Sequence, residues 1–253
     1  MTKQLKESLE RFNLPEFKPE WGKFLRGIEK ESLRVTTKGQ LAQSDHPAGL
    51  GSALTHPYIT TDFSESLMEL ITPATDSIDD CLNFLADLHT YTYSQLPDDE
   101  RLWVSSMPCQ LEGEAHIPLA RYGSSNIGRM KTLYREGLGH RYGRVMQTIA
   151  GIHYNFSMPE SFWSAYRDIR KSTDDLQTFQ TRQYLHLIRN FHRNCWLLPY
   201  LFGASPAVNK TFPQGREHDL EDFDQHTLYK PYATALRMGN LGYKSEAQKS
   251  LFV

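Results

Sequence analysis

Cysteine is scarce in this chain, with three residues among 253, and none of them belongs to a C-x-x-C pair. An odd number of widely spaced cysteines predicts neither a disulfide framework nor a structural zinc site. The three are Cys81, Cys109 and Cys195. This usage fits a reducing compartment, and we expect the protein in the cytoplasm.

Long apolar runs and a strong net charge are also missing. The longest apolar run, residues 195–208, is too short to span a bilayer and is broken by Pro199 and Pro206. Residues 1–12 are polar with apolar positions at helical spacing, which predicts a surface helix rather than a signal peptide. The 28 basic and 30 acidic side chains nearly cancel. We therefore expect no nucleic-acid and no membrane partner.

Common nucleotide and hydrolase motifs are absent as well. Neither Gly49-Leu50-Gly51 nor Gly137-Leu138-Gly139 continues into G-x-G-x-x-G, and no G-x-x-x-x-G-K-[ST] occurs. No G-x-S-x-G or H-E-x-x-H occurs either. These absences argue against P-loop, Rossmann, serine hydrolase and zincin sites.

The composition is that of a folded protein, with 39% hydrophobic and 23% charged residues. We expect residues 1–253 to form a single domain. Apolar residues recur at helical spacing in residues 78–88, in residues 159–169 and in residues 184–195, where the helix should end before Pro199.

Strand patterns are fewer. Residues 27–35 and 151–158 alternate, whereas residues 60–71 are either extended or helical. Residues 213–225 are polar enough to form an exposed loop. Together these patterns predict an α+β fold, an antiparallel sheet with helices packed on one side.

Two acids stand on a half-apolar strand face. Glu29 and Glu31 are two apart on a predicted strand and share its face with Leu33 and Val35. Like charges there repel, and a divalent cation would relieve both the repulsion and the cost of desolvation. An all-carboxylate site suits Mg²⁺ better than Zn²⁺. The alternative is that the pair lies at a solvated strand edge.

Further acids follow in residues 61–69. Asp62 and Glu69 share a face if the segment is helical, but in a sheet a bulge or bend would be needed to bring them together. His153 could add a nitrogen ligand and Asn155 an amide to the same site. The alternative for His153 is a purely structural role.

The segment 119–146 is basic, with six arginine or lysine residues against the single acid Glu136, and it contains five glycines. Such a segment can form a solvated face. Arginine side chains beside exposed backbone also hold phosphate and carboxylate groups. The aromatic residues among these charges would suit single-stranded nucleic acid, but the near-neutral chain argues against that ligand.

Several motifs resemble the proteobacterial type of glutamate–cysteine ligase. They are Arg26-Gly-Ile-Glu-Lys-Glu-Ser-Leu-Arg-Val35, residues 51–56 and 59–63, Lys131-Thr-Leu-Tyr-Arg-Glu-Gly-Leu138, Gly151-Ile-His-Tyr-Asn-Phe156, Pro199-Tyr-Leu-Phe-Gly-Ala-Ser-Pro206 and Leu241-Gly-Tyr243. The match runs from about residue 20 to the last residue.

The resemblance implies an activity and a fold. The family makes γ-glutamylcysteine, the first step of glutathione synthesis, using ATP and Mg²⁺, for which Mn²⁺ is a possible substitute. Its fold is similar to the catalytic part of glutamine synthetase, a curved antiparallel sheet with packed helices. The expected small-molecule partners are glutamate, cysteine and ATP. Family members are considerably longer, so the resemblance is to the N-terminal portion of the catalytic domain, a fold incomplete at its C-terminus.

The resemblance also implies residue roles, all of them as metal or substrate ligands. The implied Mg²⁺ ligands are Glu29, Glu31, Asp62, Glu69 and His153. The implied pocket for cysteine contains Tyr134, Arg135 and Tyr243. Asn155 and Arg237 are the implied contacts to glutamate or phosphate, and Glu65 receives no role.

Two other interpretations stay open. The chain could be a truncated, non-catalytic remnant that binds amino acids or a complementary C-terminal half. It could also be a related enzyme that uses another amine acceptor in place of cysteine, in which case the metal site is kept and the pocket changes.

Overall fold

The computed structural model describes residues 3–15, 17–236 and 239–241. Within them helices combine with antiparallel strands, which confirms the predicted α+β class. The helices are α1 Lys3–Phe12, α2 Ile78–Gln95, α3 Asn126–Tyr142, α4 Glu160–Ile169, α5 Leu176–Asn194 and α6 Leu197–Phe202. The strands are β1 Leu25–Thr36, β2 Ile59–Thr61, β3 Leu67–Ile71, β4 Glu100–Leu102, β5 Ile152–Ser157, β6 Ala207–Asn209, β7 Glu221–Asp222 and β8 Thr227–Tyr229. Short 3₁₀ helices cover Trp21–Lys23, Ala48–Leu50, Glu114–His116 and Val145–Thr148.

The larger sheet is built around β1. Its strand order is β2-β3-β1-β4, and β5 also pairs with β1. β3 runs antiparallel to β1, with Glu31 opposite Glu69 and Leu33 opposite Leu67. Since side chains alternate across a strand, these four residues point to one face. A second sheet of three strands has the order β6-β8-β7.

Residues 60–71, either extended or helical by sequence, form two strands joined by a turn. β2 ends at Thr61, β3 begins at Leu67, and the amide of Asp62 donates to the carbonyl of Leu67 at 3.0 Å. Glu65 in this turn is buried, and its carboxylate accepts the backbone N–H groups of His46 at 3.0 Å and Arg121 at 2.8 Å. The bend that Asp62 and Glu69 require is therefore present.

The Cα positions divide the chain into two compact units. The first contains residues 1–28, 72–84 and 154–197, and the second contains residues 29–71, 85–153 and 198–253. The core of the first is aromatic: Phe17, Phe24, Phe162, Trp163 and Phe179. The core of the second is larger and mostly aliphatic, and it includes Leu33, Leu67, Ile117, Val145, Val208 and Leu228. Whether residues 1–253 act as a single domain stays a prediction.

The predicted helices over residues 1–12, 78–88 and 159–169 are confirmed as α1, the start of α2, and α4. The last predicted helix, α5, ends at Asn194, before Pro199 as expected. A separate short helix, α6, carries Pro199 in its first turn, where a missing N–H breaks no helical hydrogen bond.

Two features differ from the sequence expectations. The basic segment contains the helix α3, which its sequence did not predict because glycines interrupt it. Ser125 caps this helix by accepting the backbone N–H of Gly128 at 3.1 Å. The segment 213–225 is mainly loop, but it contributes the two residues of β7 to the smaller sheet. Across the described part of the chain, no helix has both the length and the apolar character needed to cross a membrane.

Candidate active site

Acidic side chains gather on one face of the larger sheet. Glu29 and Glu31 alternate on β1, and Glu31 stands opposite Glu69 of β3. Thr60 of β2 also pairs with Glu69, so Asp62, two residues further on, lies on the same face. Toward the other end of this face, Leu33 and Leu67 enter the core. The acids thus form the edge of an apolar surface, as the alternation in β1 predicted.

His153 of β5 closes this group on one side. Its Nδ1 lies 3.1 Å from Glu29 Oε2, and its Nε2 lies 3.9 Å from Glu31 Oε1. Glu31 Oε2 accepts the backbone N–H of Gly151 at 2.7 Å. A Cβ on Gly151 would stand 3.2 Å from His153 Nε2 and 3.5 Å from Glu31 Oε2. The glycine therefore lets the backbone, the imidazole and the carboxylate approach one another.

The charges of all four other predicted ligands affect the pKa of Glu69. Burial raises the pKa of Glu69 to about 7, and the charges of Asp62, Glu31 and Glu29 add to the rise while His153 opposes it. Glu31 has 8% of its surface exposed and lies on a strand paired on both sides. The solvated-edge alternative therefore does not describe Glu31. We call Glu29, Glu31, Asp62, Glu69 and His153 the acidic cluster.

Oxygen-rich donors of this kind match the preference of Mg²⁺. Within the described ranges, however, no group of three or more His, Cys, Asp or Glu side chains is already arranged to hold a metal ion. The structure brings the acidic cluster into electrostatic range without assembling a finished coordination shell. The metal-ligand roles of its members stay a prediction.

A cavity of about 510 Å³ opens beside Glu31. Hydroxyl-bearing and small residues line much of it, including Ser105, Ser106, Gly151 and Ser205. Lys30, on the opposite face of β1 from Glu31, also lines it and donates from Nζ to Ser32 Oγ at 2.6 Å. Burial lowers the Lys30 pKa, and the nearby Glu31 charge opposes that effect. The volume lies in the range of small-molecule sites.

The two predicted cysteine-pocket residues on α3 have different surroundings. Arg135 is half-buried, donates from Nε to the carbonyl oxygen of Asp62, and donates from Nη1 to the carbonyl of Lys131 at 3.0 Å. Tyr134, one position earlier and about 100° away around the helix, has 65% of its surface exposed. The structure thus ties Arg135 to the acidic cluster and leaves Tyr134 facing outward.

The remaining predicted site residues are less informative. Asn155 lies on β5, two residues after His153, with an exposed side chain. Arg237 and Tyr243 fall outside the described residues. Their predicted roles remain untested.

Sequence reasoning missed three residues of this site: Lys30, Gly151 and Tyr122. Lys30 lies between Glu29 and Glu31 but points to the other strand face, so alternation separates it from the acids, and only the cavity lining shows that it borders the site. Gly151 is the first residue of a predicted strand, and no turn pattern singles it out. Tyr122 is one of several aromatic residues in the basic segment, and its partner, the backbone of residues 61 and 62, is distant in sequence.

Comparison with known proteins gives a consistent result. A family model described as glutamate–cysteine ligase matches residues 9–253. Proteins named glutamate–cysteine ligase from Alcanivorax borkumensis and Saccharophagus degradans are 59% identical over 228 residues and 60% identical over 230 residues. Each alignment covers 90% of this chain and 43% of the relative. The chain therefore spans less than half the length of these relatives.

Solved structures are similar as well. The crystal structure of a glutamate–cysteine ligase from Francisella tularensis in complex with AMP matches with a TM-score of 0.82 and 44% identity, over 90% of this chain and 44% of that one. A bifunctional glutathione synthetase from Pasteurella multocida matches with a TM-score of 0.74 and 31% identity, over 90% and 28%. These matches confirm the fold class.

Proposed function

Because this chain belongs to the glutamate–cysteine ligase family, we propose that it carries part of the active site of a cytoplasmic, ATP-dependent ligase. The reaction would join the γ-carboxyl group of glutamate to the amine of cysteine. The observation that carries the proposal is the acidic cluster, in which burial, three other carboxylates and one imidazole together set the pKa of Glu69. Such a cluster is expected where charged phosphates and cations are handled.

The proposed chemistry has two steps that balance. An oxygen of the glutamate γ-carboxylate attacks the γ-phosphorus of ATP, and the bond to the ADP oxygen breaks. The amine of cysteine then attacks the carbonyl carbon of γ-glutamyl phosphate, phosphate leaves, and the amine loses a proton. Little covalent chemistry falls to the protein, so positioning and charge neutralisation supply the catalysis.

The residues of this chain would divide that task between them. The acidic cluster would hold Mg²⁺, with Mn²⁺ as a substitute, and bound Mg²⁺ would neutralise the phosphate oxygens. Arg135, held at the carbonyl of Asp62, offers a guanidinium suited to the carboxylate of an amino acid. Lys30 places a cation in the cavity beside Glu31, where it could meet a carboxylate or phosphate. The nucleotide proposal is supported by the AMP in the Francisella tularensis structure.

A turnover experiment tests the proposal directly. Purified chain is incubated with ATP, glutamate, cysteine and Mg²⁺, and ADP release is measured with each component omitted in turn. We expect release that requires both amino acids and stops in EDTA. Glu31→Gln should abolish it, because Glu31 is the most enclosed carboxylate of the β1 pair, whereas Glu10→Gln on the exposed surface of α1 should not.

A second candidate function has its own support. Among the described residues no set of three potential metal ligands is already assembled. This observation favours a non-catalytic form that binds amino acids or a complementary C-terminal half. No ADP release at high protein concentration, together with glutamate or cysteine binding by calorimetry, would support this candidate over the enzyme.

A further inference from the structure

Tyr122 lies in the loop before α3, and its side chain is buried, with 5% of its surface exposed. It packs in a small cluster with Ala53 and Ala120. Its hydroxyl is directed at the carbonyl oxygen of Thr61 at 2.7 Å, and the carbonyl oxygen of Asp62 lies 3.2 Å away. The hydroxyl therefore contacts the backbone at the point where β2 ends and the acidic cluster begins.

The aromatic face of the same residue contacts two cations of α3. The guanidinium carbon of Arg135 lies 4.7 Å from the ring centroid, and Nζ of Lys131 lies 5.1 Å from it. These cations are four residues apart, so they share one helix face. A cation above an aromatic ring is attracted by the ring quadrupole, more strongly where water is excluded. The ring therefore stabilises the orientation of this helix face.

The hydroxyl of Tyr122 and the guanidinium of Arg135 both approach one atom, the carbonyl oxygen of Asp62. Arg135 donates from Nε to the carbonyl oxygen of Asp62, the same oxygen that lies within reach of the Tyr122 hydroxyl. The neighbouring backbone is tied down too, since the amide of Ala120 donates to the carbonyl of Phe63 at 3.1 Å. Tyr122, Arg135 and the backbone of Asp62 thus form a closed set of contacts.

We infer that Tyr122 is a positioning residue that links the acidic cluster to Arg135, holding the backbone at Asp62 with its hydroxyl and the guanidinium with its ring. The inference rests on the proposed function, in which Asp62 is a metal ligand and Arg135 binds an amino acid. Through Tyr122, a displacement of the backbone at Asp62 changes the position of the Arg135 guanidinium, and a displacement of the guanidinium changes the position of that backbone. A tyrosine that merely filled space would be replaceable by phenylalanine without effect on either side.

Three single variants of the full chain separate these roles. Tyr122→Phe removes the hydroxyl and keeps the ring, and Tyr122→Leu removes both. Tyr91→Phe is the matched control, because the hydroxyl of Tyr91 also donates to a backbone carbonyl, that of Gly49 at 2.8 Å, but has no contact with the acidic cluster. Thermal melts establish that each variant is folded.

Two readouts are used on these variants. The first is Mn²⁺ affinity, for which we expect about a threefold to tenfold loss in Tyr122→Phe, the size of one lost hydrogen bond, and no change in Tyr91→Phe. The second is the NMR resonance of the Arg135 Nε–H group. We expect it to shift in Tyr122→Phe, because its acceptor, the Asp62 carbonyl, loses the hydroxyl that lies 3.2 Å away, and to lose its ring-current displacement in Tyr122→Leu.

A double-variant cycle tests the link itself. Arg135→Lys keeps the positive charge and loses the Nε–H donor. If Tyr122 and Arg135 act through one carbonyl, the loss of Mn²⁺ affinity in the Tyr122→Phe/Arg135→Lys protein is smaller than the product of the two single losses. A loss equal to that product would overturn the inference. This cycle does not depend on Tyr122→Leu being folded.

Failure of the proposed function is recognised separately. If the wild-type chain binds no Mn²⁺, the metal role of the acidic cluster fails, and the Arg135 resonance decides the inference: a shift in Tyr122→Phe supports it and an unchanged signal overturns it. If Mn²⁺ binds equally well to Tyr122→Phe and the Arg135 resonance stays in place, Tyr122 has no positioning role while the proposed function stands.

Discussion

Gly151 is where the backbone comes closest to the acidic cluster. Its amide donates to Glu31, and the space that a side chain would occupy is taken by His153 and Glu31. The described geometry gives Gly151 no left-handed backbone requirement. Glycine is therefore required at this position because the neighbouring polar side chains leave little room for a Cβ atom.

Gly151→Ala should weaken divalent-cation binding without unfolding the chain. The new methyl group lies 3.2 Å from His153 Nε2, so the imidazole must move away from Glu29 and Glu31. We expect about a threefold to tenfold loss of Mn²⁺ affinity in titration calorimetry, the equivalent of roughly 1 kcal/mol. Gly22→Ala is the control, since nothing lies within 4 Å of its added Cβ. Equal affinity in both variants would show that His153 does not contribute.

A second prediction at the scale of residues concerns Glu69 and the pH dependence of stability. Its pKa in the folded chain is about 7 against an ordinary value of 4.5, so the folded state holds a proton that the unfolded chain releases. The stability that this proton confers is present below pH 4.5 and is lost as pH rises through 7. In EDTA, Glu69→Gln should therefore be more stable than wild type above pH 7.

Solvent screening at this half-buried position reduces the effect to on the order of 1–2 kcal/mol. Urea unfolding at pH 5 and pH 8 measures it. The gap between the two proteins should widen between those values, and Glu10→Gln should show no such change. A gap that is constant with pH would mean that Glu69 is not desolvated by its neighbours.

At the scale of elements, α3 shows how context overrides composition. Its sequence carries three glycines, which lower helix propensity. Gly128 packs so closely that a Cβ would lie 2.3 Å from the carbonyl oxygen of Tyr122. A Cβ on Gly137 would meet nothing within 4 Å. One glycine is thus required by packing and another is not.

These two glycines give opposite predictions for the free energy of unfolding. Gly137→Ala should raise it by about 0.5–1 kcal/mol, because alanine loses less backbone entropy in a helix and costs no packing here. Gly128→Ala should lower it, because the methyl group collides with backbone that cannot rotate away. Chemical denaturation of both variants decides the matter, and a Gly137→Ala protein that is destabilised would contradict the open environment of that position.

At the scale of the whole molecule, large apolar side chains remain uncovered. The C-terminal half of α5 is exposed on every side, and Leu185, Leu187, Ile188 and Phe191 each have between 43% and 53% of their surface accessible. The first half of the helix instead buries Phe179 against α4. Exposed apolar patches of this kind favour association.

We expect the chain to self-associate through this surface. Ile188→Gln combined with Phe191→Gln should shift the sedimentation-velocity distribution toward monomer at unchanged melting temperature, since neither side chain is buried. Phe179→Ala, at 2% exposure in the same helix, should instead cost about 3–5 kcal/mol of stability. Wild-type protein that is monomeric at high concentration would contradict the prediction.

Local sequence pattern was enough to predict much of the secondary structure of this protein and its family resemblance. Alternation identified β1 and placed Glu29 and Glu31 on a face shared with Leu33, because the period of a strand depends only on backbone geometry. Helical spacing located α1, α2, α4 and α5, whose apolar faces are continuous in sequence. The motifs that resemble the ligase family were readable for the same reason, since each is a short, contiguous string.

Tertiary structure decided what depends on residues far apart in the chain. Periodicity left residues 60–71 undecided, and only pairing with β1 made them a hairpin that turns Asp62 and Glu69 to one face. The contact of Tyr122 with the backbone of Asp62 joins residues 60 apart, which no local pattern records. The raised pKa of Glu69 has the same origin, because desolvation and repulsion arise only when separate strands bring their charges into one poorly hydrated space.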